Sequence, residues 1–285
     1  MKTFVTALLL VFVTGCNSQS MQGGERSGGG GSDLFSFSKE NVGAIRVIGY
    51  NVEGGYKSEA SVDTVVENMT TIGYADIWAL SEVTVSWEDE LLDAVGDEFT
   101  AISTNGAIDT TDTLMLLIDT GKFRLLSTDE LLGLKIHRYS RPPLVATLED
   151  LSSGKIFQIM VNHLERGNEE GRHTQAKKLN AYASGVSLPI IAMGDYNFDW
   201  DLNPGSDYRD AGYDYMTKNG VFSWVKPVNM IKTSCSPGYN SILDFAFVTS
   251  DVGEAASDIL LRDAEYCEDD ESKPDHRPVE LLFSL

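Results

Sequence analysis

Pro189-Ile190-Ile191-Ala192-Met193-Gly194-Asp195-Tyr196-Asn197 runs apolar for five residues and then stops on a carboxylate and an amide. An unbroken apolar run of this length is the pattern of a strand buried on both faces. Where such a strand ends in a polar group, it presents that group at the rim of its sheet. The pattern repeats at Val47-Ile48-Gly49-Tyr50 before Asn51, at Ile77-Trp78-Ala79-Leu80 before Ser81-Glu82, and at 156–161 before Asn162-His163. It returns in the reverse sense where Asp275-His276 leads into Arg277-Pro278-Val279-Glu280-Leu281-Leu282-Phe283. Several such ends at one rim make a site of hard oxygens and imidazoles, suited to a hydrated divalent cation and a phosphate. Side chains two apart on extended backbone point the same way, so Asp195 and Asn197 are expected to share a face. Alone, that pair is also a turn signal, since Asp and Asn end strands anyway.

Around these runs the chain alternates strands and helices. The pattern predicts strands over 44–48, 76–80, 114–118, 123–132, 143–150, 155–162, 188–193, 242–248, 258–262 and 278–284. Helices are predicted over 61–72, where Val62, Val65, Val66, Met69 and Ile72 fall on one face, and over 86–95, 170–185 and 207–218. Ser61 stands where it can cap the first of them. Residues 219–240 read as irregular. Many strands have antiparallel-looking neighbours, and the economical layering is two sheets face to face with helices outside. Trp200, Trp224 and Tyr239 fall in predicted loops at the rim, where they can stack on a base or a headgroup or pack on their own domain.

The chain carries 285 residues and a formal net charge of -21. A molecule this acidic repels polyanions at long range, which argues against tight non-specific nucleic-acid binding. The stretch 122–178 departs from the rest, with ten Lys/Arg against seven Asp/Glu, and it contains His163. The substrate approach is therefore expected to be locally basic, unless this is only a charge-balanced surface. At the N-terminus Lys2 precedes an apolar run over 4–13, too short to span a bilayer and suited to a secretory signal over 1–15. Val13-Thr14-Gly15-Cys16 resembles a bacterial lipobox, which implies lipidation of Cys16 and a protein exported to the cell envelope or outer surface, membrane-held through that lipid alone. An ordinary signal peptide cleaved elsewhere is the alternative. Residues 16–33 then form a Gly/Ser tether with a reach of roughly 20–25 Å, leaving 34–285 as one domain, expected to be a monomer. With Cys16 lipidated, Cys235 and Cys267 are an even pair, either disulfide-bonded in an oxidising compartment or two free buried thiols.

Taken together, Tyr50-Asn51, Ser81-Glu82, Asn162-His163-Leu164, Gly194-Asp195-Tyr196-Asn197, Ile242-Leu243-Asp244-Phe245 and Asp275-His276-Arg277-Pro278 resemble, in order and spacing, the endonuclease/exonuclease/phosphatase superfamily. The helix with Arg172, Gln175 and Leu179 also looks like its bacterial members. The resemblance covers 43–285. It implies a four-layer αββα sandwich, with two packed mixed or antiparallel sheets flanked by helices, and Mg²⁺-dependent hydrolysis of phosphoesters (Mn²⁺ or Ca²⁺ in its place). By this likeness Glu82, Asn51 and Asp275 hold the metal. Asp195 orients or deprotonates the attacking water. Asn197 and His163 hold non-bridging oxygens, with Asn162 and Arg141 on the substrate, and Asp244 fixes the tautomer of His276. Ser81 stands where many members carry Gln. No acid matches the Glu that the deoxyribonuclease branch has before its histidine strand, because Arg141-Pro142-Pro143 occupies that region, and the orientation of His163 is then unexplained. Arg141 either contacts phosphate or pairs with surface acids. The expected activity is a secreted phosphodiesterase of nuclease type, acting on nucleic acid or a small phosphodiester. The alternatives are a sphingomyelinase-like phospholipase C, a small-molecule phosphatase, or a non-catalytic surface lipoprotein that keeps the fold.

Overall fold

A computed structural model describes residues 44–55, 60–104, 112–267 and 272–285, all within one compact unit, Val42–Leu285. The predicted signal, Cys16 and the tether lie outside the described residues. Two six-stranded sheets form the centre. The first holds β11 (Ala255–Ile259), β12 (Val279–Phe283), β1 (Ile45–Asn51), β2 (Ile77–Val83), β4 (Thr113–Asp119) and β3 (Phe99–Ser103), in that order. The second runs β5 (Phe123–Glu130), β6 (Leu144–Asp150), β7 (Ile156–His163), β8 (Ile190–Asp201), β10 (Ser241–Thr249) and β9 (Phe222–Trp224). Each sheet has one parallel pair at its middle, β1 with β2 and β7 with β8, and antiparallel neighbours elsewhere. The parallel registers set Asn51 opposite Ser81 and His163 opposite Asp195. Parallel strands end at the same side, so this pairing brings the polar strand ends to one rim.

The sheets pack face to face through the apolar runs read from the sequence. Val47, Ile77, Ala79, Leu116, Ile159, Val161, Ile191, Met193 and Phe245 are buried in one continuous core, each large aliphatic worth about 1.5–3 kcal/mol on burial. A smaller core lies on the outer face of the first sheet, where Ile48, Trp78, Leu80 and Met115 meet Val65 and Met69 of α1 (Val62–Ile72) and Leu91 of α2 (Glu88–Val95). Ser61 caps α1 as expected, its Oγ accepting from Thr64 N at 3.2 Å. The second sheet carries α3 (Glu169–Ser184), with Ala176, Leu179 and Ala183 buried, and α4 (Ala211–Met216).

Several expectations shift. The 188–193 strand continues to Asp201 as β8. The 207–218 helix is only Ala211–Met216, started by the Asp210 cap. The strand expected at 258–262 lies at Ala255–Ile259, in register with β12. Two strands were hidden from the pattern, β3 and the three-residue β9 inside the segment read as irregular. Both are edge strands whose order comes from a neighbour's backbone; β9 has too few residues for a period-2 signal, and β3 is half-buried at every position and shows no alternation. Trp224 is buried in β9 and Trp200 lies in β8, their rings tilted together at 4.8 Å against the core, so neither belongs to a rim loop. Tyr239 is about half exposed.

Candidate active site

The parallel registers place Asn51 and Ser81 at one end of the first sheet and His163 and Asp195 at the same end of the second. Glu82, one residue past Ser81, sits at φ 55°, an uncommon conformation for a residue with a Cβ. Glu53 and Asn197 are in the same region, at φ 50° and 53°. Three such residues at one rim mark a place where surrounding structure over-determines the backbone. Gly194 makes the approach possible. It sits at φ 132°, and a Cβ there would lie 2.0 Å from the Asn162 carbonyl oxygen, so β8 can close on β7 at this point only without a side chain.

Asp195 is the hub. Its Oδ1 accepts from Asn197 N at 2.9 Å and its Oδ2 from Asn51 Nδ2 at 3.2 Å. The same Oδ2 lies 3.6 Å from His163 Nε2 and 3.8 Å from His276 Nε2. Asn51 Nδ2 also donates to Glu82 Oε1 at 3.0 Å, while its own oxygen accepts from Glu53 N at 3.0 Å. As placed, Asn51 ties two carboxylates together instead of aiming its oxygen at a cation. Glu82 Oε1 is 3.6 Å from His163 Nε2. His276 Nδ1 donates to Asp244 Oδ2 at 2.7 Å, and its Nε2 faces Asp275 Oδ1 at 3.6 Å.

Asn51, Glu82, His163, Asp195, Asn197, Asp244, Asp275 and His276 therefore gather in one pocket, with Arg141 Nη2 at 3.3 Å from His163 Nε2. Asn162 does not join them. It is buried and donates to the Tyr196 hydroxyl at 3.0 Å, because neighbours on a strand point to opposite faces and His163 takes the site face. Nor do Asp195 and Asn197 share a face through simple alternation. Between the pairs Asp195–Asp244 and Trp200–Ile242, β8 spends four residues against one of β10. In that bulge Asn197 turns its Nδ2 to the Leu164 carbonyl at 3.2 Å.

Sequence reasoning passed over Glu53 and Asp112, and named Arg172 and Gln175 in a family-like helix without giving them a place at the site. Glu53 Oε2 accepts from Asp275 N at 2.7 Å; its spacing of two from Asn51 repeats the Asp195/Asn197 signal and could have exposed it. Asp112 accepts from Arg141 Nε at 2.8 Å and stands 3.9 Å from His163 Nδ1. From just before β4 it is the acid that comes nearest to His163 Nδ1, but 3.9 Å is too long for a hydrogen bond and that nitrogen has no hydrogen-bond partner. Arg172, nearly buried, donates from Nη1 to the carbonyls of Glu165 and Arg166 at 3.0 and 3.1 Å, and Gln175 Oε1 accepts from Glu165 N at 3.0 Å. These two hold the turn that follows His163.

Burial and crowding set the charges. Burial pushes Asp195 up to about 7, with Asp244 and Glu82 adding repulsion and His276 opposing. Burial, then Asp275, raises Glu53 to about 7. Glu82 is raised by burial and by Asp112. Burial, Arg141 and His276 hold His163 well below its ordinary value. Burial would lower His276 too, but Asp244 and Asp195 outweigh it and raise it well above. Three of the site's carboxylates, Asp195, Glu53 and Glu82, are driven toward protonation, by burial first and by neighbouring acids second, so the site is short of positive charge. Glu82 and Asp195, with His163, lie close enough together to reach one ion, and carboxylate oxygens are the hard ligands a divalent cation takes, so the site fits such a cation. The other acid–histidine cluster, Glu169, His173 and Asp210, is a structural joint: Asp210 already accepts from Arg172, from His173 Nε2 and from Gly212 N.

Known proteins carry the same architecture. A mannosyl-6-phosphatase of Bacteroides thetaiotaomicron superposes with a TM-score of 0.65 at 15% identity, over 85% of this chain and 100% of that one. The human nocturnin catalytic domain with bound sulfate does so at 0.63 and 18%, over 85% and 94%. D. rerio TDP2 with a single-strand DNA product gives 0.65 and 14%, over 85% and 99%. No curated protein matches by sequence. The model of the Endonuclease/Exonuclease/phosphatase family matches residues 48–264, and the chain belongs to that family.

Proposed function

We propose that this protein is a Mg²⁺-dependent phosphodiesterase that hydrolyses its substrate with nuclease-type chemistry. The family consists of divalent-metal-dependent hydrolases of phosphoester bonds. The observation that carries the reading is the convergence on Asp195 of Asn51 at the end of β1, His163 at the end of β7 and His276 from the segment before β12, one of its oxygens facing both imidazoles. Glu82 and Asp275 would hold the cation, with Asn51 steering Glu82. When bound, the cation supplies Lewis-acid stabilisation of charge on the phosphoryl oxygens. Asp195, with a carboxyl near neutrality, accepts a proton from the attacking water, since a general base works best with its pKa near the operating pH. His276, kept charged by Asp244, faces the developing negative charge and can return a proton to the leaving oxygen. Arg141, which also donates to His163 Nε2, takes up a non-bridging oxygen on the side of the neutral ring.

A second reading, a phosphatase or phospholipase acting on a small or neutral substrate, is favoured by the net charge of -21, which opposes a long polyanion. We infer that the protein is exported and held to a membrane through lipid on Cys16, acting as a monomer. The test is hydrolysis by the full chain of DNA, RNA, sphingomyelin and small phosphomonoesters at several salt concentrations, with and without EDTA. Turnover that survives both EDTA and Asp195→Ala overturns the metal-dependent reading. A steep salt dependence selects nucleic acid over the small substrates. Radiolabelled palmitate incorporation, lost on Cys16→Ser, tests the anchor.

A further inference from the structure

The short segment that delivers Asp275 and His276 to the pocket is not part of any sheet until β12 begins at Val279. It is held instead by a ribbon partner. Cys235 N donates to Asp275 O at 2.6 Å and Arg277 N to Thr233 O at 2.8 Å, and Ser234 bridges His276 in antiparallel fashion. Thr233 does a second job: its Oγ1 accepts from Leu243 N at 2.8 Å and Asp244 N at 3.2 Å. The residues 233–235 thus fix both His276 and the carboxylate that orients it.

The other side of the segment is held by Tyr266. Its hydroxyl donates to His276 O at 2.7 Å and, having spent its proton, accepts from Tyr50 at 2.8 Å, which accepts in turn from Asn68 Nδ2 at 2.9 Å. Cys267 follows Tyr266 directly, and Cys235 and Cys267 are joined by a disulfide. Arg277, nearly buried, reaches into the same junction, donating from Nη1 to Cys267 Sγ, from Nη2 to Asp263 O and from Nε to Leu261 O, the last two at 3.0 Å. One cysteine's backbone holds the carbonyl of Asp275. The other's neighbour holds the carbonyl of His276. The covalent bond closes the clamp around the pair.

We propose that the Cys235–Cys267 disulfide and Tyr266 are positioning groups for Asp275 and His276, so that opening the bond detunes the active site of a chain that remains folded. The inference rests on the phosphoesterase reading for its kinetic consequence. A dithiol opens the bond in two exchanges. Its thiolate attacks one cysteine sulfur, forming a mixed disulfide and releasing the other cysteine, which takes up a proton. The second thiol then closes the reagent into a cyclic disulfide and releases the first cysteine. The protein gains two electrons and two protons, and the dithiol is oxidised.

The experiment uses the full chain treated with dithiothreitol, with alkylation and mass measurement confirming that both thiols are free. Reduction is expected to lower kcat about tenfold or more, as a misplacement of catalytic groups by a fraction of an ångström does, with KM changed less than about twofold. Circular dichroism stays native at the assay temperature, and oxidised glutathione restores the rate. The variant with Cys235→Ser and Cys267→Ser matches the reduced rate and ignores reductant. Tyr266→Phe, which leaves the disulfide intact, lowers kcat several-fold on its own. Full kcat in the reduced protein, or a loss that appears only with global unfolding, overturns the proposal, as does an unchanged kcat in Tyr266→Phe. If the oxidised chain turns over no phosphoester at all, the functional reading fails separately. The positioning is then decided by amide exchange, which reduction should accelerate at Cys235 and Arg277 while leaving β7 and β8 protected; unchanged exchange at those two amides also overturns it.

Discussion

His163 and His276 are both almost fully buried and both face Asp195 Oδ2, at 3.6 and 3.8 Å, yet their surroundings drive them in opposite directions. What differs is the company of the ring. Arg141 Nη2 stands 3.3 Å from His163 Nε2 and donates to it, which requires that nitrogen to be unprotonated, and Nδ1 has no hydrogen-bond partner. His276 has carboxylates on both sides, with Asp244 on Nδ1 and Asp195 and Asp275 facing Nε2. Burial penalises the charged form of both. Three carboxylates overcome that penalty at His276, whereas at His163 Arg141 and His276 itself add to it. One residue type thus provides a neutral ring on one side of the pocket and an imidazolium on the other, which is the separation of roles an acid–base site needs.

The strongest way to break the comparison is to remove the group the two rings share. Asp195→Asn keeps the shape but cannot accept a proton, and kcat is expected to fall about 10³-fold or more. A loss of less than tenfold would place the base elsewhere. Asp244→Asn attacks one side only. It takes the nearest carboxylate from His276, so the imidazole pKa read by NMR should fall toward the ordinary value, and kcat should drop about 10–100-fold, the usual worth of a group that orients a catalytic histidine. His163 should titrate as before.

The opposite shifts also predict opposite contributions to stability. His163 has a folded pKa below that of the unfolded chain. Its share of stability is present above about pH 6.5 and is lost as pH falls toward the folded value, because the unfolded chain then binds a proton the native ring refuses. That loss grows steadily as pH falls from 6.5 to 5. His276 has the raised value, so its share is complete below about pH 6.5 and is lost as pH rises through the folded pKa. Urea unfolding in EDTA should show His163→Gln gaining relative to the parent as pH falls from 7 to 5, and His276→Gln gaining relative to the parent as pH rises. Parallel pH profiles for the two variants would mean that the rings do not differ in charge.

Much of this arrangement was legible in the sequence, and for a definite reason. Asn51, Glu82, His163 and Asp195 each end or follow an apolar run, and the parallel pairs β1–β2 and β7–β8 turn four one-dimensional endings into one rim. The buried acid in Ile242-Leu243-Asp244-Phe245 demanded a partner, and His276 is that partner at 2.7 Å. What stayed hidden depends on backbone that leaves regular geometry. Asn162 was read with His163, but alternation turns it to the Tyr196 hydroxyl. Asn197 was placed by alternation, but the bulge of β8 breaks the alternation there. Asp112 approaches His163 from the other sheet, a distance that no local pattern encodes. β3 and β9 take their order from neighbours and not from their own residues.

The smallest expected effect tests whether the neutral side of the pocket is held as firmly as the charged side. His276 is tied down by Asp244, by the 233–235 ribbon and by Tyr266. His163 has only the Arg141 guanidinium on its ring, at 3.3 Å, and the rest of its fixity comes from the backbone beyond it. Leu164 N donates to Asp195 O at 2.9 Å, Leu164 O accepts from Asn197, and Glu165 and Arg166 are held by Gln175 and by the guanidinium of Arg172. Arg172 reaches both carbonyls with one nitrogen while another engages Asp210, the cap of α4. A lysine in its place has a single charged nitrogen and can satisfy one end or the other. Arg172→Lys should therefore lower kcat only about three- to tenfold, since the ring is displaced and not removed. Divalent-cation affinity measured by calorimetry should hardly change, because Glu82 and Asp275 are carried by the other sheet and by the segment before β12. A fall in cation affinity as large as the fall in kcat would show that the turn after His163 props up the whole pocket and not its neutral side alone.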